Sequence, residues 1–501
     1  MTLKADTVRL SSTTEADNHK LRRVNQPASL YFYDYETWGA DPKKDRPAQF
    51  GGIRTDLELN PIGEPDMWYC QLAPDYLPHP QAALITGLTP QLCNQRGLTE
   101  LEFCRRIAAR FSEAGSCVLG YNSLRFDDEV TRYSFYRNFI DPYAREWQNG
   151  NSRWDLIDIV RACYALRPDG IVWPEREDGS PSFKLEALTQ ANGLGHQRAH
   201  DALSDVYATI EIARLIQQHQ PRLFAYLFSL RKKAELAALL DTVNLMPLVH
   251  VSGRLPALQG CATWIVPLAW HPTNKNAVIA WNLQANPSPL LELDLASVQQ
   301  LLFTKTEDLA PDQQRLGLKL IHLNKCPVLA PAKTLSEQRA DELGIDRAAC
   351  RRHLDFLRQH QSVIQNKVVE LYQLPNDYKE DTNPDYQLYN GFVSDSDRKL
   401  MLQLHQMSAE QLAATPVLFS EDRLNQLLFL FRARNYPSTL TYQEQQRWQR
   451  YRADKLQQGL DKPNLTFEEF GLQLENLAHE VGDDQKKMGI LKALYQYAQS
   501  L

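Results

Sequence analysis

The sequence predicts a mixed α/β domain, then a small β-barrel or sandwich with helical insertions, then a mainly helical C-terminal region. Three observations carry this reading. Early β-prone runs give way to helices alternating with strands up to about Gln220. From Met246, short strands are separated by Pro, Gly and Asn. From about Asn376, apolar residues recur at helical spacing. At 501 residues the chain exceeds one ordinary hydrophobic core. The expected divisions are a disordered tail over 1–29, a first domain over 30–220, a β domain over 221–375 and a helical domain over 376–501.

Residues up to about Ser29 are polar and mixed in charge, which reads as a disordered tail rather than a signal peptide. The run Tyr31-Phe32-Tyr33-Asp34-Tyr35-Glu36-Thr37-Trp38-Gly39 is then a strand ending in a loop. Side chains i and i+2 share a face, so Leu30, Phe32, Asp34 and Glu36 pass along one face from apolar core into a polar site. Two adjacent carboxylates repel one another, and hard divalent metals prefer such oxygen ligands. By itself, an Asp-x-Glu pair reads equally as a solvated strand end. After a loop over 41–47, Gln49–Arg54 and Met67–Cys70 read as strands joined through a turn at Asn60-Pro61-Ile62-Gly63, an antiparallel meander. Thr99 and Glu102 form a capping box before Phe103, Ile107, Ala108 and Phe111 at helical spacing. The strand Cys117–Gly120 leads to Asp127 at a strand-to-helix junction. Helices follow at Leu156, Ile159, Val160 and Cys163, at Leu185 and Leu188 up to Gly193, and from Asp201 with Val206, Ile210 and Ala213 inward.

In the second region the strands are Leu248–Val251, Thr263–Val266, Ala277–Trp281 and Lys319–Leu323. In the third the helices are Arg398–Gln406, Glu421–Ala433, Tyr442–Gln457, Phe467–Val481 and Asp484–Ser500. With 43% hydrophobic and 23% charged residues, the composition is that of ordinary globular material. The longest apolar clusters carry Asp, Lys or His, so no membrane span is expected. The eight cysteines are scattered without a C-x-x-C pair, which argues for reduced thiols in a cytoplasmic protein and against a zinc site or disulfide frame. A net charge of −6 gives no global sign of nucleic-acid binding, for which a local basic groove suffices.

Asp127 alone reads as a carboxylate favoured by a helix N-terminus, and His200 alone as a surface histidine. His200 and Asp205 lie five apart, roughly 140° around a regular helix. For both to serve one site, His200 must precede the helix proper, with Asp201 as N-cap. Taken together, Asp-x-Glu on a first strand, Asp before a middle helix and His-x-x-x-x-Asp near the end resemble the DEDD exonucleases of ribonuclease H-like fold. The histidine places the likeness in the DEDDh branch, since the other branch carries a tyrosine where this chain has Asp201. Further motifs resemble the bacterial exodeoxyribonuclease I family: Asp34-Tyr35-Glu36-Thr37, Arg46-Pro47-Ala48-Gln49-Phe50, Phe126-Asp127-Asp128-Glu129-Val130-Thr131-Arg132, Asn151-Ser152-Arg153-Trp154-Asp155-Leu156, Arg161-Ala162-Cys163-Tyr164-Ala165-Leu166-Arg167-Pro168, His200-Asp201-Ala202 and Tyr389-Asn390-Gly391-Phe392. The likeness covers essentially everything after the tail.

That resemblance implies a ribonuclease H-like exonuclease domain, an SH3-like β-barrel and a helical C-terminal domain. It implies processive removal of nucleotides from the 3′ end of single-stranded DNA as 5′-mononucleotides, in DNA repair and recombination. Two Mg²⁺ ions, with Mn²⁺ as a possible substitute, would sit on Asp34, Glu36, Asp127 and Asp205, with His200 as general base. By family position the DNA-contacting set is Glu36, Thr37, Trp38, Arg132, Tyr143, Trp147, Arg161, Lys184, Asn324, Lys325, Tyr389 and Phe392, with Trp38 as the wedge against the terminal base. The implied protein partner is the single-strand DNA-binding protein, whose acidic C-terminal tail would meet Arg347 and Arg358, with Arg167 and Tyr226 nearby. Met246 stands where relatives are expected to carry lysine. A monomer without a membrane partner is expected. Two rivals stand beside this reading: a DEDDh enzyme that trims RNA, and a single-strand-binding scaffold with a dead nuclease domain. The second would require a lost carboxylate, and all four are present.

Overall fold

A computed structural model describes residues 28–195, 201–310, 313–375, 380–459 and 465–501. The expected N-terminal tail, apart from its last two residues, and His200 lie outside the described residues. The first sheet is organised around β1 (Ser29–Thr37). Leu30 and Phe32 enter one core with Val206 and Ile210, while Tyr31, Tyr33 and Tyr35 enter another with Phe50, Phe103 and Phe111. Both faces are covered, which is why the run is apolar or aromatic on each of them. β2 (Pro47–Thr55) and β3 (Pro61–Tyr69) continue antiparallel on one side. β4 (Ser116–Gly120) and β5 (Ser152–Asp155) add parallel on the other, giving the order β3-β2-β1-β4-β5. The expected turn at Asn60–Gly63 falls earlier. Asp56 accepts the Asn60 N–H at 2.7 Å and closes the hairpin there, so Pro61-Ile62-Gly63 open the edge strand β3, where a proline is tolerated.

The covering helices are α1 (Glu100–Phe111), α2 (Asp127–Arg137), α3 (Leu156–Leu166), α4 (Leu185–Ala191) and α5 (Ala202–His219). Thr99 caps α1 by accepting the Glu102 N–H, but the Glu102 carboxylate turns to Arg106 at 3.3 Å, so only half of the expected box forms. Asp201 caps α5 through the Ser204 N–H at 3.3 Å, and Val206, Ile210 and Ala213 are buried against the sheet.

The second sheet is antiparallel throughout, in the order β10-β6-β7-β8-β9, from β6 (Leu248–Val251), β7 (Ala262–Trp270), β8 (Ala277–Asn282), β9 (Leu318–His322) and β10 (Val328–Pro331). β10 is an addition to the sequence reading: Pro327 and Pro331 flank an apolar triplet that can only be an edge strand. Helices α6 (Arg347–Gln359) and α7 (Gln361–Leu371) follow, and α7 packs on β7.

The C-terminal region holds α8 (Asp395–Leu404), α9 (Asp422–Asn435), α10 (Tyr442–Gln458), α11 (Phe467–Val481) and α12 (Gln485–Gln499). Complete capping boxes start α10 and α11, Thr441 with Glu444 and Thr466 with Glu469. A further short helix, Ala409–Ala414, is too brief to show a period in the sequence. This region is fastened to the first domain at several places. Phe470, Leu474, Ile490, Leu491, Leu494 and Tyr497 share one apolar cluster with Trp38, Leu72, Tyr76 and Ala83. Beside it lies a buried ionic network in which Arg46 and Arg434 share Asp385, while Arg434 and Lys455 share Asp75. Burial alone would raise both carboxyls, but Arg434 above all holds Asp75 and Asp385 well below the usual carboxylate range. All eight cysteines are free, and among the described residues no helix is long and apolar enough to cross a membrane.

Candidate active site

Asp34 and Glu36 project from the C-terminal end of β1, and Asp205 from the first turn of α5. One carboxylate oxygen from each lies within 4.8 Å of the others. Asp127, at the start of α2, stands beside this group; its Oδ1 accepts the Tyr35 N–H at 3.2 Å and so braces β1 between the two strand carboxylates. Burial, then the charges of Asp127, Glu36 and Asp205, pushes the Asp34 carboxyl well up. Burial, then Asp205 and Asp127, lifts Glu36 to about 8. Asp127 is also raised, by burial first, against the bond from Tyr35. A cluster of oxygen donors that resists ionisation on its own fits a hard divalent cation, which relieves the repulsion.

Behind the cluster, Asp128 accepts from the Tyr33 hydroxyl at 2.8 Å and from Arg145 at 2.6 Å, and it pairs with Arg153. Arg153 also donates to the Asn324 carbonyl at 2.9 Å, tying the first domain to the second sheet. A cavity of about 560 Å³ opens where the three parts of the chain meet, lined among others by Arg125, Glu129, Arg254, Lys319, Lys325 and Tyr389. Burial, then Arg254 and Arg125, lowers Lys319 to about 8. This local cationic lining exists despite the net negative chain. Of its cations, sequence reasoning named Lys325 and missed Arg125, Arg254 and Lys319; a lysine inside the apolar run of β9 was the available signal. A second cavity of about 660 Å³ flanks Glu36 and Thr37 on the other side of the turn before Asp127, bounded by Ala40, Lys44, His79, Ile85 and Phe126.

The residues expected to contact DNA fall into distinct settings. Trp147 and Phe392 are open, 66% and 91% exposed, and Lys184 and Asn324 are exposed too. Tyr389 lines the cation-lined cavity with its hydroxyl donated to Glu129 at 2.7 Å. Arg132 is held by Glu129 and Glu146 above the Tyr143 ring, and Arg161 pairs with Asp158 at 2.7 Å. Thr37 donates to the Gly39 carbonyl at 2.7 Å. Trp38 corrects the expectation of a wedge. It is 0% exposed, in one apolar cluster with Leu72, Tyr76 and Ala83 of its own domain and with residues of α11 and α12.

Family comparison matches the exonuclease family over residues 31–213, the exonuclease I SH3-like domain over 231–374 and the exonuclease I C-terminal domain over 382–501. The chain is 50% identical over 476 residues to exodeoxyribonuclease I of Escherichia coli (strain K12), covering 95% of this chain and 98% of that relative. The chain belongs to the exodeoxyribonuclease I family. Among solved exodeoxyribonuclease I structures, the E. coli enzyme in complex with a dA16 oligonucleotide superposes with a TM-score of 0.91 at 49% identity, over 94% of this chain and 99% of that one. The SSB/exonuclease I structure in complex with the inhibitor CFAM gives 0.87 at 49% identity, over 95% of this chain and 100% of that one.

In this exodeoxyribonuclease I chain, an apolar cavity of about 380 Å³ lies between β7, β10 and α6, walled by Pro247, Trp264, Leu283, Leu335, Cys350 and Leu354 and rimmed by Lys333, Arg347 and Arg351. Arg347 also pairs with Glu337 and Asp341 at 2.8 Å. Arg358 lies outside the wall and reaches the Leu245 carbonyl at 3.4 Å, beside exposed Met246. Arg167 donates to the Thr334 carbonyl at 3.1 Å and Tyr226 to the Leu329 carbonyl at 3.0 Å, both next to the same rim. Arg351 joins the basic rim without having been picked out from the sequence.

Proposed function

We propose that this chain is a 3′→5′ exonuclease that degrades single-stranded DNA processively to 5′-mononucleotides, working in the cytoplasm as a monomer in DNA repair and recombination. The observation that carries the reading is the convergence of the Asp34, Glu36 and Asp205 oxygens at the end of β1, with a cation-lined cavity in the same part of the fold and a second cavity beside Glu36. The oligonucleotide-bound E. coli relative supports single-stranded DNA as the substrate.

Two Mg²⁺ ions, or Mn²⁺ in their place, would supply charge neutralisation and Lewis-acid activation when bound. Asp34, Glu36 and Asp205 would hold them, with Asp127 completing the set. His200 takes the proton from the attacking water, its imidazole being suited to that transfer near neutral pH. Arg125, Arg254, Lys319 and Lys325 hold the incoming phosphates by charge, without reading sequence. Trp147 and Phe392 offer faces to the bases. The terminal nucleoside rests in the cavity beside Glu36, whose Ala40, Ile85 and Phe126 walls accept any base. Contacts from all three parts of the chain slow dissociation of the strand, which is the physical route to processivity.

The protein partner in this reading is the single-strand DNA-binding protein. Its apolar tail end would enter the cavity walled by Trp264, Leu283 and Leu354, with its carboxylates on Arg347, Arg351 and Lys333. Arg358, Arg167 and Tyr226 border that docking face.

The deciding test compares 3′-digestion of end-labelled DNA and RNA strands by the parent, Asp34→Ala and Asp205→Ala. DNA degradation by the parent alone, with strand binding retained in both variants, is expected. Preferential digestion of RNA, or near-normal turnover in either variant, overturns the reading.

A further inference from the structure

We propose that Asp155 is a positioning residue for the metal-ligand candidate Asp127, acting through the backbone of the turn that carries it. This rests on the metal-dependent reading above. Asp155 ends β5, directly opposite Gly120 at the end of β4. It is buried, and its carboxylate accepts three backbone N–H groups: Asn122 at 2.8 Å, Leu124 at 3.1 Å and Ile157 at 3.1 Å. The Ile157 bond caps α3. The other two reach across to the turn between β4 and α2, a separate task for the same side chain.

That turn needs holding. Asn122 sits at φ 65°, the left-handed region, which costs energy in any residue but glycine. On its inner side the turn cannot give way, because a Cβ at Gly120 would lie 2.6 Å from the Tyr33 carbonyl. Ser123 ties both ends, accepting the Gly120 N–H at 3.1 Å on its hydroxyl and the Asp128 N–H at 2.9 Å on its carbonyl. The Asp155 carboxylate grips the middle from the far side. Asp127 follows within five residues of Asn122, and the 3.2 Å bond from the Tyr35 N–H ties its side chain to the sheet. Where Asp127 stands beside Asp34 and Glu36 is therefore decided by the turn. Asp155 itself spends its oxygens on backbone and lies outside the three-carboxylate cluster, so it acts through another residue.

The test uses the full chain and reads metal binding as well as activity. In Asp155→Asn the side-chain oxygen can still cap α3, but one acceptor for the turn becomes an N–H donor. Calorimetric Mn²⁺ affinity should fall about tenfold. The Mg²⁺ concentration for half-maximal hydrolysis should rise by a similar factor, with turnover recovering at high Mg²⁺. Affinity for a single strand in EDTA should stay within twofold. Asn122→Ala, which strains the turn from its other end, should give the same metal defect with Asp155 intact. Asn122→Gly added to Asp155→Asn should restore at least threefold of the lost affinity. If Asp155→Asn does not fold, Asn122→Ala decides alone, and an unchanged Mn²⁺ affinity in it overturns the proposal. So does an Asp155→Asn protein of lowered stability but parental Mn²⁺ affinity, which would leave a helix cap only. A parent that neither binds Mn²⁺ nor degrades DNA would instead refute the functional reading.

Discussion

Without divalent metal, the carboxylate cluster should make the folded protein lose stability as pH rises, and Glu36→Gln should reduce that loss. In the unfolded chain Glu36 ionises at its ordinary value, 4.5, whereas in the fold burial and then Asp205, Asp127 and Asp201 hold its proton to about 8. Between those values the folded state binds more protons than the unfolded one, so stability falls with pH. Below 4.5 neither state has ionised, and above about 8 the loss is complete. The window from pH 6.5 to 8 isolates the effect. His250, His271, His322 and His405 are all pushed down by burial, so they cost stability as pH falls through and below the histidine range, the opposite slope to that of Glu36. Across that window one retained proton is worth on the order of 2 kcal/mol, at about 1.4 kcal/mol per tenfold change. The assay is urea unfolding at pH 6.5 and 8 in EDTA and in Mg²⁺. The parent in EDTA should lose about 2 kcal/mol more than Glu36→Gln, and Mg²⁺ should abolish the difference, because a bound cation replaces the protons. Parallel slopes for parent and variant in EDTA would refute the reasoning.

Three other outcomes are expected. Arg434→Met leaves Asp75 with Lys455 alone and Asp385 with Arg46 alone in the interior, and should cost about 3–5 kcal/mol in chemical unfolding, the scale of a broken buried pair; a loss below about 1 kcal/mol would mean that Lys455 and Arg46 suffice. Phe392→Ala should shorten the run of nucleotides removed before dissociation, measured with a DNA trap, while barely slowing the first cleavage. A base stack is worth about 1–3 kcal/mol, so dissociation should quicken roughly tenfold; equal run lengths would exclude the stack. Arg347→Glu should weaken binding of an acidic, apolar-ended tail peptide and spare digestion of naked DNA, with Arg358→Glu giving a smaller effect; unaltered peptide affinity in both would place the partner elsewhere.

Much of the fold was legible because its signals are local. The alternation of Leu30 and Phe32 against Tyr31, Tyr33 and Tyr35 marks β1, and Asp201 marks the start of α5. Asp34 and Glu36 declare themselves as a pair within three residues. What escaped depends on distant partners. Thr37-Trp38-Gly39 looks like an open loop, and nothing nearby tells that the indole will join an apolar cluster with Leu474 and Leu494. Arg132 reads as a free cation until Glu146 is folded beside it. The cations of the large cavity come from three separated stretches, so no single window shows them together. β10 was hidden because its prolines read as breakers, although at a sheet edge they cost no ladder bond.

The apolar cluster that Trp38 shares with the last two helices has a consequence in time. A ribosome delivers β1, with both of its carboxylates, long before it delivers α11 and α12. A nascent chain therefore carries Asp34 and Glu36 while the cluster beside them is unfinished, and we expect cleavage to be withheld until those helices are made. A stalled chain ending before Phe467 that already digests single strands would show the delay to be unreal. Otherwise, the order in which the polypeptide emerges keeps a half-made nuclease from cutting.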